Sequence, residues 1–532
     1  MKNVNQKLYN EAIQPLIQLN NFSLWYENKE QSPVLNDLTF SIYSNQIALL
    51  MGTSGSGKSS LALCLNGIYP EAVEGISSGD IYFEGNHITN YAKGELSQYI
   101  GIVFQDPESQ FCMLTVEDEL AFTLENKKIP SKEMPNRIKK ILQLMKMESY
   151  MKRNLHELSG GEKQKIALAA VLLLEPKLII LDEPTANLDP VSSLEFINLV
   201  HQIKQKTNTA FFIIDHQSDD WLPIINRLLV LGKNGTLMAN GQPDEIFQDM
   251  VMEQEGIFLP KKYQAPYPFD KRLVEQKQRI IYSLEHVCFS YKGKDVLQDI
   301  HLELFQGEMV AIVGQNGAGK STLLQLMSGL LVPDSGEVTF FDKPLRAWKE
   351  NELRSKMGFV FQNPEHQFIT DTVYDEISFS MRLNGIADEL INHRVLKLLE
   401  QFNLTHLQHA NPFSLSGGQK RRLSVATMLD EEPSLLLLDE PTFGQDAHNT
   451  REMLAILLQL LESGTSVVMI THDMDLADFA DRIIVLDQQR LCFSGTPDEL
   501  WMQQDIISKA KLRLPYRMEK QYRVGEQHDF VY

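Results

Sequence analysis

The sequence predicts an α/β protein built from two tandem copies of one phosphate-loop domain, and three observations carry that prediction. The glycine-rich stretch "GTSGSGKSS" from Gly52 returns as "GQNGAGKST" from Gly314, an offset of 262 residues. Three later segments return at an offset of 257: "VFQDPESQF" (103–111) as "VFQNPEHQF" (360–368), "LSGGEKQK" (158–165) as "LSGGQKRR" (415–422), and "LIILDEPT" as "LLLLDEPT". In each copy an apolar run precedes the glycine loop and a helical pattern follows it, the strand–loop–helix order of a parallel α/β core.

The bulk properties agree with two globular domains. A chain of 532 residues exceeds what one hydrophobic core supports. Its 43% apolar and 23% charged residues are those of a packed protein. The formal charge of −20, with no basic block, argues against nucleic acid as a partner. Cys64, Cys112, Cys288 and Cys492 are scattered without a CxxC pair, which points to reduced thiols in a cytosolic setting. Neither a signal-peptide h-region nor an apolar window of spanning length is expected, so the chain does not cross a membrane by itself. Domain boundaries are expected at 15–250 and 280–500, with a Pro- and Lys-rich linker over 251–279 and a polar tail over 501–532 to which nothing is assigned.

The first phosphate loop comprises Gly52, Thr53, Ser54, Gly55, Ser56, Gly57, Lys58, Ser59 and Ser60. Its glycines let successive backbone N–H groups turn inward around a β-phosphate, helped by the positive end of the following helix. Lys58 would reach the β- and γ-oxygens and Ser59 would ligate Mg2+. Gly314, Gln315, Asn316, Gly317, Ala318, Gly319, Lys320, Ser321 and Thr322 repeat the set, with Lys320 and Ser321 in those two roles.

Each Asp-Glu pair ends an apolar strand. Asp182 and Asp439 suit the Mg2+ side of the site, and Glu183 and Glu440 suit a general base for the attacking water. Gln105 and Gln362 follow Val-Phe strands, where a neutral amide could touch Mg2+ or that water. His216 and His472 follow the β-rich runs "AFFII" and "SVVMI", so each is expected at a strand tip within reach of a γ-phosphate. Tyr26 and Tyr291 precede the nucleotide core and could stack on adenine or simply pack.

The LSGG segments are second anion sites. Ser159 and Ser416 read as helix N-caps, Gly160 and Gly161, like Gly417 and Gly418, expose backbone N–H groups, and Glu162 and Gln419 follow. Some fifty mostly helical residues separate each from its own Gln loop, placing it on a helical subdomain away from its own phosphate loop. Two domains arranged head to tail would therefore share ATP: Lys58, Ser59 and Glu183 with Ser416 to Gln419, and Lys320, Ser321 and Glu440 with Ser159 to Glu162.

The ordered set of phosphate loop, Gln loop, LSGG signature, Asp-Glu strand and switch His resembles the ATP-binding cassette (ABC) ATPases over nearly the whole chain. The resemblance implies, for each copy, a RecA-like α/β core with an antiparallel β subdomain and a helical signature subdomain. It implies ATP and Mg2+ as cofactors and assigns communication between sites to "NLD" (187–189) and "GQD" (444–446), where Gln445 departs from the usual leucine. Glu162 likewise replaces the commoner glutamine, so some asymmetry is expected.

The "PESQF" and "PEHQF" segments look like the fused ATPases of energy-coupling-factor (ECF) importers. That subgroup implies a place on the cytoplasmic face of the membrane and two partners, a transmembrane coupling subunit and a small substrate-binding membrane subunit. The cargo would be a vitamin, with hydroxymethylpyrimidine or thiamine foremost, or a metal ion. Helical segments 116–147 and 373–402 would form the grooves for coupling helices. A simple-sugar importer ATPase and a soluble twin-cassette protein acting on ribosomes or DNA remain the alternatives.

Overall fold

A computed structural model describes residues 14–519 apart from 27–31, 54, 70–74, 187, 217, 249–256, 258, 264–278, 430–432, 443–444 and 446. Ser54, Asn187, Gly444 and Asp446 among the expected site residues thus lie outside the described set. The chain falls into two compact units, passing from one to the other at residues 264–265.

In the first unit a six-stranded sheet runs in the order Leu237–Gly241, Arg227–Leu231, Ile47–Gly52, Ala210–Ile214, Leu178–Asp182, Ile100–Val103. Only the Leu237–Gly241 edge is antiparallel. The central strands are continuous apolar runs because both faces are covered, one by helices and the other chiefly by the antiparallel sheet, and Leu178–Asp182 and Ala210–Ile214 are buried throughout. A second sheet, antiparallel, orders Leu35–Ile42, Ile17–Trp25, Ile76–Phe83 and Asn86–His87.

The second unit repeats both sheets. Its core order is Met357–Val360, Leu435–Asp439, Ser466–Ile470, Met309–Val313, Arg482–Asp487, Arg490–Gly495, and its antiparallel sheet pairs Lys294–Phe305, Ile280–Tyr291, Ser335–Phe340 and Lys343–Pro344. In both units the phosphate-loop strand lies inside the parallel sheet, with the Asp-Glu strand two places away, so both loops emerge at the carboxyl end of the sheet.

Packing extends beyond the expected boundaries at two places. Ile257 and Leu259, inside the stretch expected to be linker, are buried in the first unit's core. The segment set apart as a tail is in large part core: Trp501, Ile507, Ala510, Leu512 and Met518 are buried in the second unit. Trp501 Nε1 donates to Asp478 Oδ1 at 2.7 Å, and Arg517 donates to both oxygens of Asp478, at 2.5 and 2.7 Å. A polar composition concealed apolar residues at irregular spacing in this segment. Among the described residues no helix is long and apolar enough to cross a membrane.

Candidate active sites

Each phosphate loop is folded around its own lysine. Lys58 Nζ donates to the carbonyls of Gly52 and Thr53 at 3.0 and 2.9 Å. Lys320 Nζ does the same to Gly314 and Gln315, at 2.8 Å each. Helices Lys58–Leu65 and Lys320–Met327 start at once, capped by Gly57 at φ 92° and Gly319 at φ 101°, a conformation that side chains oppose. A Cβ at Gly319 would also meet the carbonyl of Val296 at 2.9 Å. In the second unit Gln315 Nε2 donates to the carbonyl of Lys509, tying the loop to the supposed tail.

The acidic strand ends meet these loops from two strands away in the sheet. Ser59 lies near Asp182, and Ser321 near Asp439, each favouring the carboxylate form. Burial pushes both aspartates above their usual value. One step on, the backbone turns: Glu183 has φ 45° and Glu440 φ 51°, left-handed conformations that cost a non-glycine residue about 1–3 kcal/mol.

The Glu183 carboxylate is held from two sides, by Gln105 Nε2 at 2.9 Å on Oε2 and by His216 Nε2 at 2.8 Å from Oε1. Burial would raise its pKa, but the His216 hydrogen bond and the His216 and Lys58 charges outweigh it, leaving the group below the usual glutamate value. Glu440 has the same neighbours at longer range, Gln362 Nε2 at 3.2 Å and His472 Nε2 at 3.3 Å. Lys320, buried beside Glu440 and Asp439, is pushed down to about 8 by desolvation, which those carboxylates only partly offset.

Several buried polar atoms of these sites have no hydrogen-bond partner: Thr53 Oγ1, Ser56 Oγ, Asp182 Oδ1 and Asp439 Oδ1. Such orphans call for a ligand or ion. Lysine, hydroxyls and free carboxylate oxygens together fit a polyphosphate and a hard oxygen-seeking cation. In the first unit a cavity of about 540 Å³ is lined by Tyr26, Lys58, Ser59, Ser60, Glu183 and His216, among others. Tyr26 is half exposed there, its hydroxyl 2.5 Å from Ser60 Oγ. Tyr291 is equally exposed, with Phe289 edge-on to its ring.

Both signature serines cap helices. Ser159 accepts from the Glu162 amide while Glu162 accepts from the Ser159 amide, a reciprocal box that Ser416 and Gln419 repeat. Ser159 and Gly160, like Ser416 and Gly417, are exposed, so their ends remain open to a ligand. Burial would raise the Glu162 pKa, but the nearby Tyr150 hydroxyl and the Ser159 contacts outweigh it and hold the carboxyl below its usual value.

These signature helices are less separate from the core than their spacing suggests. Gly160–Leu173 lies against strand Ile100–Val103, where a Cβ on Gly101 would meet Val171 Cγ1 at 2.2 Å. Gln164 Nε2 reaches the carbonyl of Gln105 at 3.3 Å, and its counterpart Arg421 reaches the carbonyl of Phe361 at 3.0 Å. Lys163 pairs with Glu108, and Lys420 with Glu365 at 2.6 Å. Behind each Gln loop a buried glutamate gathers the backbone: Glu119 accepts from Cys112 and Met113, and Glu376 from Ile369 and Thr370. Sequence reasoning passed over Glu119 and Glu376, although they stand 257 apart.

A family model described as ABC transporter matches residues 35–186 and 297–443, together over half of the chain. The chain belongs to the ABC transporter family. It is an ABC-type ATPase with two cassettes, similar along almost its whole length to known ATP-binding proteins. A protein of Bacillus subtilis (strain 168), named as a candidate HMP/thiamine import ATP-binding protein, YkoD, is 42% identical over 96% of this chain and 97% of its own. A candidate ABC transporter ATP-binding protein of Lactiplantibacillus plantarum is 33% identical over 94% of each chain. The solved structure of cbiO1 from Clostridium perfringens, part of the ABC transporter complex cbiONQ, is 33% identical. It covers 46% of this chain and 99% of its own, with a TM-score of 0.41.

Proposed function

We propose that this ABC ATPase is the energy-coupling subunit of an ECF-type membrane importer, with two composite ATP sites driving uptake of a pyrimidine-type vitamin precursor such as hydroxymethylpyrimidine, or thiamine. The observation that supports it most is that both cassettes keep the whole catalytic set, in a chain that matches an import ATPase almost end to end.

In this reading Lys58 and Lys320 hold the phosphate chain, and Glu183 and Glu440 take the proton of the water that attacks the γ-phosphorus as the bond to the β-phosphate oxygen breaks. A carboxylate oxygen has two lone pairs, so Glu183 can accept that proton while Gln105 and His216 orient it. Ser59, Asp182 and Gln105, and likewise Ser321, Asp439 and Gln362, would hold Mg2+, which supplies charge neutralisation on the phosphate oxygens. The exposed signature caps would close each site on the other cassette's nucleotide, so that ATP joins the halves and its hydrolysis lets them part.

Coupling to a membrane partner would pass through the surface behind the Gln loop. In the first unit a cavity of about 740 Å³ lies there, lined by residues such as Gln110, Phe111, Cys112, Glu119 and Phe122. On the second, Ile369, Phe379 and Leu383 are exposed. Apolar grooves of this kind suit an amphipathic helix.

The test is affinity purification of the tagged protein from its native membranes in mild detergent, followed by mass spectrometry. Two small hydrophobic membrane proteins are expected, the smaller carrying the vitamin. Ribosomal proteins, or no membrane partner, would overturn the importer reading and leave the ATPase chemistry standing.

A further inference from the structure

The antiparallel sheet of each unit carries the same irregularity, filled differently. In the first unit the pairing of Ile17–Trp25 with Leu35–Ile42 shifts register between Leu19 and Phe22, and Asn21 and Asp37 both take positive φ, 47° and 53°. In the second the shift falls between Leu284 and Val287, with His286 at φ 52° and Asp299 at φ 54°. Gly79 and Gly336 face the two bulges, where a Cβ would meet the carbonyls of Asn21 and His286 at 2.2 and 2.4 Å. The bulge is therefore a feature of the fold, and the first unit shows what it needs.

There it needs only ordinary polar groups. Asn21 Nδ2 donates to Asp37 Oδ1 at 2.8 Å, Thr39 Oγ1 accepts from the Asn21 amide at 2.9 Å, and Ser23 Oγ accepts from the Asp37 amide at 2.9 Å. The second unit keeps the aspartate and replaces the other three: His286 for Asn21, His301 for Thr39, Cys288 for Ser23. Every replacement is by a side chain that ligates transition metals.

The donors converge. His286 Nδ1 lies 2.8 Å from Asp299 Oδ1, His301 Nε2 lies 2.9 Å from His286 Nδ1, and His301 Nε2 lies 3.2 Å from Asp299 Oδ1. Donors on an ion with bonds of about 2.0–2.1 Å stand about 2.9 Å apart at right angles and about 3.3 Å apart at the tetrahedral angle, so this triangle has the edges of an octahedral face and would widen by a few tenths of an ångström around a tetrahedral ion. All three residues are exposed, which leaves the opposite face to water or an external ligand. Cys288 Sγ accepts the Asp299 amide at 3.3 Å and stands beside the triangle rather than in it.

We propose that His286, Asp299 and His301 form a binding site for a divalent first-row transition ion of the Zn2+ type, outside both ATP sites, which ties strand Ile280–Tyr291 to strand Lys294–Phe305 at the bulge. Two neutral imidazoles with one carboxylate suit Zn2+, Ni2+ or Co2+ better than Mg2+ or Ca2+. The ion pins the antiparallel sheet of the second cassette only, a difference between the halves that lies outside the ATP sites.

The experiment is calorimetric titration of the full, chelator-stripped, nucleotide-free chain with Zn2+ in excess Mg2+, for the parent and for His286→Asn/His301→Thr. That double variant installs the side chains with which the first unit fills the same bulge, so it is expected to fold and to hydrolyse ATP as the parent does. The expected result is one tight equivalent of Zn2+ in the parent, with a rise in thermal midpoint on adding the ion, both lost in the variant. Equal stoichiometry and affinity in the two proteins would place the ion elsewhere among the 13 histidines and overturn the proposal. Absence of tight binding to the parent would overturn it too.

Discussion

The Gln164 side chain, on the signature helix, donates to the main-chain carbonyl of Gln105, whose own side chain holds the Glu183 carboxylate. Signature helix, Gln loop and proposed general base of one cassette are thus linked by two consecutive hydrogen bonds. Gln164→Leu leaves the Gln105 carbonyl without this donor and is expected to cost about 1–3 kcal/mol of stability. It should lower kcat more than it raises KM, since it misplaces Gln105 without touching the phosphate loop. Steady-state ATPase rates with a urea melt check both. Arg421→Gln installs the residue the first cassette carries at that position, and near-parent rates are expected.

Removing the general base is expected to act on chemistry alone. Glu183→Gln and Glu440→Gln should each lower single-turnover hydrolysis at their own site by roughly 10²–10⁴. ATP binding should persist, because Lys58 and Lys320 are untouched. Unchanged hydrolysis in both variants would remove these glutamates from the proposed role.

Lys320 predicts a proton linkage. Burial lowers its pKa from 10.5 to about 8 in the nucleotide-free protein, so between these values the unfolded chain holds a proton that the folded chain has released. Stability from this group therefore rises with pH across that window, and the penalty is fully present below it. A bound polyphosphate favours the ammonium form, so nucleotide binding should draw protons onto Lys320 above pH of about 8 and progressively fewer below it. Calorimetry in two buffers of different ionisation enthalpy reads the uptake, and Lys320→Arg should abolish it at the second site.

The Asp478 cluster sets a stability expectation. Asp478 is 9% exposed and accepts from Trp501 and twice from Arg517. Arg517→Ala removes a charge-assisted pair worth about 1.5–3 kcal/mol, toward the low end because the arginine is partly exposed. Deleting residues from 501 onward exposes the Leu500 side of the core and should leave the second unit insoluble. Thermal denaturation of the point variant and soluble yield of the truncation test the two statements.

What the sequence disclosed were groups whose chemistry depends on neighbours in the chain. Lys58 and Ser59 sit in one loop, Asp182 and Glu183 end one strand, and repetition at 262 residues for the first pair and 257 for the second gave each its counterpart. What it hid depends on register and packing. The approach of Gln164 to Gln105 requires the signature helix to lie on strand Ile100–Val103, which Gly101 permits. The burial of Trp501 through Met518 requires a surface only the folded second unit provides. His286 and His301 are 15 residues apart and meet because a bulge turns one strand by a residue.

The left-handed backbone at Glu183 and Glu440 bears on how such a protein could be made sturdier. Glycine is the residue these two dihedrals favour, and a screen for heat resistance alone would drift toward it. Selection on stability alone would then erase the two carboxylates first, delivering a tougher scaffold that binds nucleotide and never turns over. Any engineering of this chain has to hold those two positions fixed and look for robustness elsewhere.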